Sequence, residues 1–307
     1  MLRKEALEKG RKFFERAQGY RRVLFAYAHH DDEIPTAGLL QRLGGKAHVL
    51  WLTNSDGLYF ESELSPQQYG QLRKEEGLRS VELAGVDLGR TRCLDFSEVE
   101  IYRHFSWLAS GKNQAGELRS FFQPMLDGIL GYLLEVQPEA VFTQAWQGGH
   151  PEHDLVHFLT ARALQIFETR VGRRPEFFHL PAYEYTILVA MRFSPFYRGE
   201  RIRLKLSPHE LETKLRMMDV YRSQQKLFRQ FRNSLRLFSL PAGWLSGGPY
   251  TLEQFLSVEE FGPVPGSIDY RRSPHWLDRL NYIGDDFEGT PISFARCLRP
   301  LVNEFTD

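Results

Sequence analysis

Two histidines and three carboxylates stand in a row at His29-His30-Asp31-Asp32-Glu33, directly after the apolar run Val23–Ala28. A run this short, apolar and partly aromatic reads as a buried strand. Unpaired charge at the end of a core strand is costly unless a cation gathers it, and a divalent metal is the usual one. A second cluster, Gly148-Gly149-His150-Pro151-Glu152-His153, places a glycine turn and two histidines behind another apolar run. Together they predict one metal site assembled from two strand-to-helix loops.

Catalytic zinc usually takes three protein ligands and keeps one position for water. His29, Asp32 and His153 supply two imidazoles and a carboxylate, with His29 and Asp32 three apart on one loop. Asp31 then lies outside the ligand set, beside the bound water, where a carboxylate can accept a proton. His150, three residues before His153, is placed to contact an oxyanion and to protonate a leaving amine. His157, one helical turn beyond His153, is either a fourth ligand or a packed histidine, and packing is the expectation. His30 reads as a turn residue and Glu33 as a cap on the following helix.

The elements that must carry these residues alternate. Strand Val23–Ala28 precedes a helix over 34–43, then strand His48–Leu52 and a helix from Pro66 to Ala84 closed by Gly85. Thr91–Leu94 reads as a weak strand, Leu118–Val136 as an amphipathic helix, Ala140–Thr143 as a buried strand and His153–Thr169 as a helix. The order predicts an α/β fold: a Rossmann-like, mostly parallel sheet with helices on both faces. Ligands of such sheets sit beyond the carboxyl ends of the strands, where both clusters fall. Charged residues throughout Met1–Gln18 exclude a secretory leader there, and Leu7, Phe13 and Phe14 give that segment a helical docking face.

The second half is less regular, with His179–Leu188 a strand candidate and Pro208–Phe231 a helix. The reading divides the chain into residues 1–230, the catalytic domain, and 231–307, a loop-rich extension packed on it. Trp244, Tyr250, Phe255, Tyr270, Trp276 and Tyr282 are the anchors of that extension, which either covers the pocket or forms an oligomer contact.

Of 307 residues, 42% are hydrophobic, enough for a sizeable core. Lys+Arg and Asp+Glu both number 39, which argues against a general polyanion binder and so against nucleic acid. Cys93 and Cys297 form no metal-binding pair, and a chain of this size needs no disulfide, so the expected compartment is the cytoplasm. No run approaches the roughly 18 apolar residues of a membrane span.

These motifs resemble the zinc-dependent PIG-L/LmbE-like N-deacetylases, whose signatures are A-H-P-D-D-E and H-P-D-H. Leu52-Thr53-Asn54-Ser55-Asp56-Gly57 resembles that family's T-N-G-x-x-G loop, and Arg73-Lys74-Glu75-Glu76 with Ala84-Gly85-Val86 its R-x-x-E…L-G-V helix. Lys214 with Tyr221-Arg222-Ser223-Gln224 resembles its late K…H-x-S-Q segment. The resemblance covers roughly residues 20–226. It implies one Zn2+ on His29, Asp32 and His153, Asp31 as general base and His150 as acid and oxyanion partner. It also implies a Rossmann-like sandwich and an N-acetylglucosamine-type amino sugar or glycoconjugate as substrate. Two positions depart from the pattern: His30 stands in place of the proline, and Glu152 in place of the second motif's aspartate. Glu152 is not assigned as a ligand.

Arg73, Asn54 and Asp56 are candidates for contacts to sugar hydroxyls, and Trp146 for a stacking platform. Arg73 has an equally weighted alternative as a helix-surface partner of Glu76, and Trp146 as a core residue. Two other functions stay open: a non-catalytic sugar-binding protein on this fold, and a metal hydrolase of a different acyl or ester bond. The latter commonly needs two metals, and ligands for one are found.

Overall fold

The structure, a computed structural model, describes residues 2–112, 116–184, 189–233, 251–266, 268–274 and 281–306. Its strands are β1 (Val23–Tyr27), β2 (Ala47–Thr53), β3 (Thr91–Phe96), β4 (Ala140–Gln144), β5 (Glu176–Leu180), β6 (Tyr183–Glu184), β7 (Val189–Ala190), β8 (Ile202–Lys205), β9 (Val258–Pro263), β10 (Asn281–Phe287) and β11 (Thr290–Ser293). Seven of them form one sheet in the order β3-β2-β1-β4-β5-β9-β8. β1 to β5 run parallel, while β9 is antiparallel to both of its neighbours. The expected Rossmann-like α/β architecture is therefore present. Its order reverses between β1 and β4: the chain builds outward through β2 and β3 on one side, then through β5 on the other. Such a switch point opens a crevice beyond the strand ends.

The main helices are α1 (Leu2–Ala17), α2 (Ala37–Leu43), α3 (Pro66–Leu83), α4 (Glu98–Ser110), α5 (Glu117–Val136), α6 (Pro151–Val171) and α7 (Pro208–Val220). The alternation of side chains along β1 feeds two cores. Phe25 and Tyr27 join α1, α2 and α7 on one face, and Leu24 and Ala28 join α4, α5 and α6 on the other. The last segment, with Phe294, Leu298 and Leu301, packs into the second core. No helix among the described residues is long and apolar enough to cross a membrane.

Two expectations need correction, and two features were not anticipated. The strand expected over 179–188 is Glu176–Leu180, followed by the short β6, and 185–188 lie outside the described residues. The helix expected over Pro208–Phe231 is interrupted: α7 ends at Val220, and the chain is helical again over residues 225–233. Tyr221, at φ −77° and ψ 73°, leaves helical geometry, and a 3₁₀ turn over Arg222–Gln224 follows. α4 was not anticipated; Ser97 caps it by accepting a hydrogen bond from Glu100 N–H. The late half also gives the central sheet two strands, one of them β9 from beyond residue 230. Trp244, Tyr250 and Trp276 lie outside the described residues.

Candidate active site

β1 and β4 lie side by side in the sheet, with Ala26 opposite Thr143, so the loops that follow them open together. The first loop carries His29 to Glu33. The second ends at Pro151, the first residue of α6, where a proline's missing N–H costs nothing. Asp154 secures the second loop by accepting hydrogen bonds from Gln147 N–H and Gly148 N–H, both at 3.1 Å.

The expected metal ligands converge. Asp32 Oδ2 lies 3.3 Å from His29 Nδ1, and Asp32 Oδ1 lies 3.0 Å from His153 Nε2. Ligand atoms around a tetrahedral zinc stand about 3.3 Å apart, close to both contacts, and His29, His150 and His153 each offer a nitrogen within 4.8 Å of the others. His150 joins them, its ring 4.7 Å from that of His153 and 5.0 Å from that of His29. All four are largely buried. Burial raises Asp32, but His153 and His29 outweigh it and hold the carboxyl well below its ordinary value. Burial also opposes charge on His29, yet Glu98, Glu152 and Asp32 push it well above the usual imidazole value. His150 is driven well below that value by burial, then by His153 and His29.

Glu152 was passed over in the sequence and sits inside this cluster. It is fully buried, and its Oε2 accepts a hydrogen bond from His29 Nε2 at 2.6 Å. A metal-bound histidine commonly gives its other N–H to a carboxylate, which sets the tautomer and the ring plane. Glu98, at the start of α4, adds a second carboxylate 3.8 Å from His29 Nε2 and accepts from Gly57 N–H. Glu152 was legible as part of the second motif; Glu98 had no local signal.

Asp31 stands at the edge with an unusual backbone, φ +122°. That region is sparsely populated by residues other than glycine and persists only where surroundings enforce it. Arg73 supplies the constraint. It is 3% exposed, pairs with Asp31 Oδ2 at 2.9 Å and donates to the carbonyl of His30. It also donates to Ser223 Oγ at 3.2 Å, while Ser223 donates to Glu76 Oε2 at 2.5 Å. The Arg73–Glu76 pairing is there at 3.7 Å, but inside the protein rather than on a helix surface. Burial raises the Asp31 carboxyl, and Arg73 partly offsets it.

Glu33 is not a helix cap. Its fully buried carboxylate accepts from Ser80 Oγ–H, from the Tyr221 hydroxyl and from the N–H of Asp31, and burial lifts its pKa to about 7. Nor is His30 only a turn residue: it is buried, stacks on Trp51 at 4.6 Å and meets Ser55 Oγ at 3.0 Å. His157 is packed, its Nδ1 2.7 Å from the Gln144 carbonyl and its Nε2 3.0 Å from the Tyr270 hydroxyl.

The remaining candidates face the protein. Asn54 and Asp56 bond each other, and Asp56 also accepts from Ser97 Oγ–H and Val99 N–H, tying the loop after β2 to the start of α4. The described ring contacts of Trp146 are with Tyr270, Phe294 and His157.

A family model described as PIG-L: GlcNAc-PI de-N-acetylase matches residues 24–164, which include both loops. This stretch of the chain is similar to the PIG-L family. The matched segment holds His29, Asp31, Asp32, His150 and His153, whereas Ser223, Tyr270 and the C-terminal strands lie outside it. A 1D-myo-inositol 2-acetamido-2-deoxy-alpha-D-glucopyranoside deacetylase of Kineococcus radiotolerans is 32% identical over 171 residues, 50% of this chain and 47% of that relative. The match therefore spans about half the length of the curated relative. Among solved structures, the N,N'-diacetylchitobiose deacetylase of Pyrococcus horikoshii superposes with a TM-score of 0.55 at 18% identity, covering 86% of this chain and 93% of that one. A deacetylase of teicoplanin biosynthesis gives 0.54 at 19%, covering 81% and 99%. GalB, the 4-carboxy-2-hydroxymuconate hydratase of Pseudomonas putida, gives 0.52 at 15%, covering 80% and 98%. The overall fold is common to a hydratase and to deacetylases, so it is the site that must distinguish function.

Proposed function

We propose that this protein is a metal-dependent N-deacetylase acting on an N-acetylglucosamine-type amino sugar or glycoconjugate. The observation that carries the reading is Asp32, which spans His29 and His153 at 3.3 and 3.0 Å at the sheet's switch point, inside the segment that matches the PIG-L family model. The names of the Kineococcus and Pyrococcus relatives agree with an acetamido sugar as substrate.

His29, Asp32 and His153 would hold one Zn2+, with Glu152 orienting His29 from behind. Bound there, the ion would lower the pKa of water and polarise an acyl oxygen. Asp31, fixed by Arg73, is the group that takes the proton from the attacking water. His150 lies against the rings of His29 and His153, where it can donate to the developing oxyanion and then to the departing nitrogen. The proton balance closes: amide and water yield carboxylic acid and amine, and the proton lost by water is the one the nitrogen needs. Cys93 and Cys297 are free, in keeping with a reducing cytoplasm, and the balanced charge is in keeping with a small-molecule substrate.

The test is release of free amine from a panel of N-acetylglucosamine conjugates, with zinc and after chelation. Release abolished by chelator and restored by zinc supports the reading. Zinc binding without release from any conjugate would leave a sugar-binding protein or a hydrolase of another bond.

A further inference from the structure

Two separate threads run from one C-terminal hairpin to His150. The hairpin is formed by β10 and β11, with Phe287 paired to Thr290. It lies outside the matched segment 24–164. The first thread reaches the imidazole ring. Phe287 packs on Tyr102 of α4, ring centroids 6.1 Å apart and planes at 31°, and the Tyr102 hydroxyl lies 3.3 Å from His150 Nε2. The second reaches the backbone. Tyr282 donates to Asp154 Oδ2 at 2.9 Å, and Oδ1 of the same carboxylate holds the N–H groups of Gln147 and Gly148, just ahead of His150.

The two nitrogens of His150 therefore differ. Nε2 faces Tyr102, while Nδ1 is buried with no hydrogen-bond partner among the described residues, 4.0 Å from Glu152 Oε2. A buried polar atom without a partner needs an explanation, and a place for a ligand is one. We propose that Tyr102 is a positioning residue for His150: its hydroxyl donates to Nε2, puts the ring proton on Nδ1 and so makes Nδ1 the nitrogen that meets the substrate. The β10–β11 hairpin holds Tyr102 there through Phe287. The proposal deepens the deacetylase reading and rests on it for its catalytic consequence, although the hydrogen bond itself does not.

Tyr102→Phe in the full, zinc-loaded chain removes only the hydroxyl. General acids contribute about 10²–10⁴-fold, so a loosened one should lower kcat at least about 10-fold, with KM within about 3-fold and zinc content unchanged. Long-range 1H–15N spectra of the histidine rings should show His150 leaving the Nδ1–H tautomer while His157 stays fixed. Phe287→Ala should reproduce part of the kcat loss, and Phe287→Leu should restore most of it. Unmoved His150 signals in Tyr102→Phe overturn the proposal, as does a kcat loss matched by loss of zinc. If the wild-type chain deacetylates no conjugate, the deacetylase reading fails, and the ring spectra still decide the role of Tyr102.

Discussion

His29 and Glu152, 123 positions apart in the chain, meet at 2.6 Å through Nε2 and Oε2 with Glu152 fully buried. The opposite nitrogen of His29 faces Asp32 at 3.3 Å. One imidazole thus stands between a carboxylate that orients it and a carboxylate with which it can share an ion. Partners of this kind typically contribute 10- to 100-fold in metal affinity.

Glu152→Gln should accordingly bind zinc about 10- to 100-fold more weakly, because a neutral amide orients the ring less firmly. Competition with a chromophoric chelator measures this. Unchanged affinity would show that Glu152 does not act on the metal through His29.

Asp31→Asn should keep a full complement of zinc and lose most turnover, whereas Asp32→Ala should lose the zinc itself. Metal analysis alongside kcat separates the two. Loss of zinc from Asp31→Asn would make Asp31 a ligand, and full occupancy in Asp32→Ala would refute the three-ligand set.

Arg73→Ala removes the partner of Asp31 and the donor to the His30 carbonyl. Breaking a buried pair costs about 3–5 kcal/mol, and a base left free to rotate should cost about 10²-fold in kcat. Arg73→Lys should not restore activity, since an ammonium lacks the fork that reaches Asp31, His30 and Ser223 together. Urea unfolding and kcat at saturating zinc measure both effects; wild-type kcat in Arg73→Ala would free Asp31 from this control.

His157 titrates at about 4 instead of the ordinary 6.5 because it is fully buried. Between those values the unfolded chain binds the extra proton, so stability is complete above about pH 6.5 and lost as pH falls toward 4. The size for such a shift is of order 3 kcal/mol. His157→Gln should flatten the dependence of Tm on pH in this window, and an unaltered slope would assign the acid sensitivity to other groups.

Gly77 lies on α3 against His30, and a Cβ there would meet His30 Cδ2 at 2.5 Å. Helix propensity alone favours alanine by about 1 kcal/mol, but forcing His30 off Trp51 should reverse the sign and cost about 1–3 kcal/mol. Denaturant midpoints decide it. A stabilised Gly77→Ala would mean that His30 can move without penalty.

What could be read along the chain was local. The candidate site residues are compressed into two loops, and the strand-helix alternation repeats within windows of a dozen residues, so the cluster of His29, Asp32, His150 and His153 and the parallel sheet were all legible. The R-x-x-E helix was equally visible, but whether Arg73 meets substrate or protein was not. Only the folded chain places it on Asp31 and, 150 positions on, on Ser223.

Other decisions were wholly tertiary. β9 enters the central sheet between β5 and β8, and its Glu259 accepts from the N–H groups of Gly38 and Leu39 and pairs with buried Lys214 at 2.8 Å. Nothing near Val258 in the sequence announces that partner, because pairing at such separation depends on which surfaces the earlier strands leave open. The residue types and short spacings of this chain determined what chemistry it can host and on which class of sheet. The aim of Asp31, the orientation of His29 and the reach of the C-terminal hairpin to His150 were decided by long-range packing, which alone brings distant side chains within hydrogen-bonding distance.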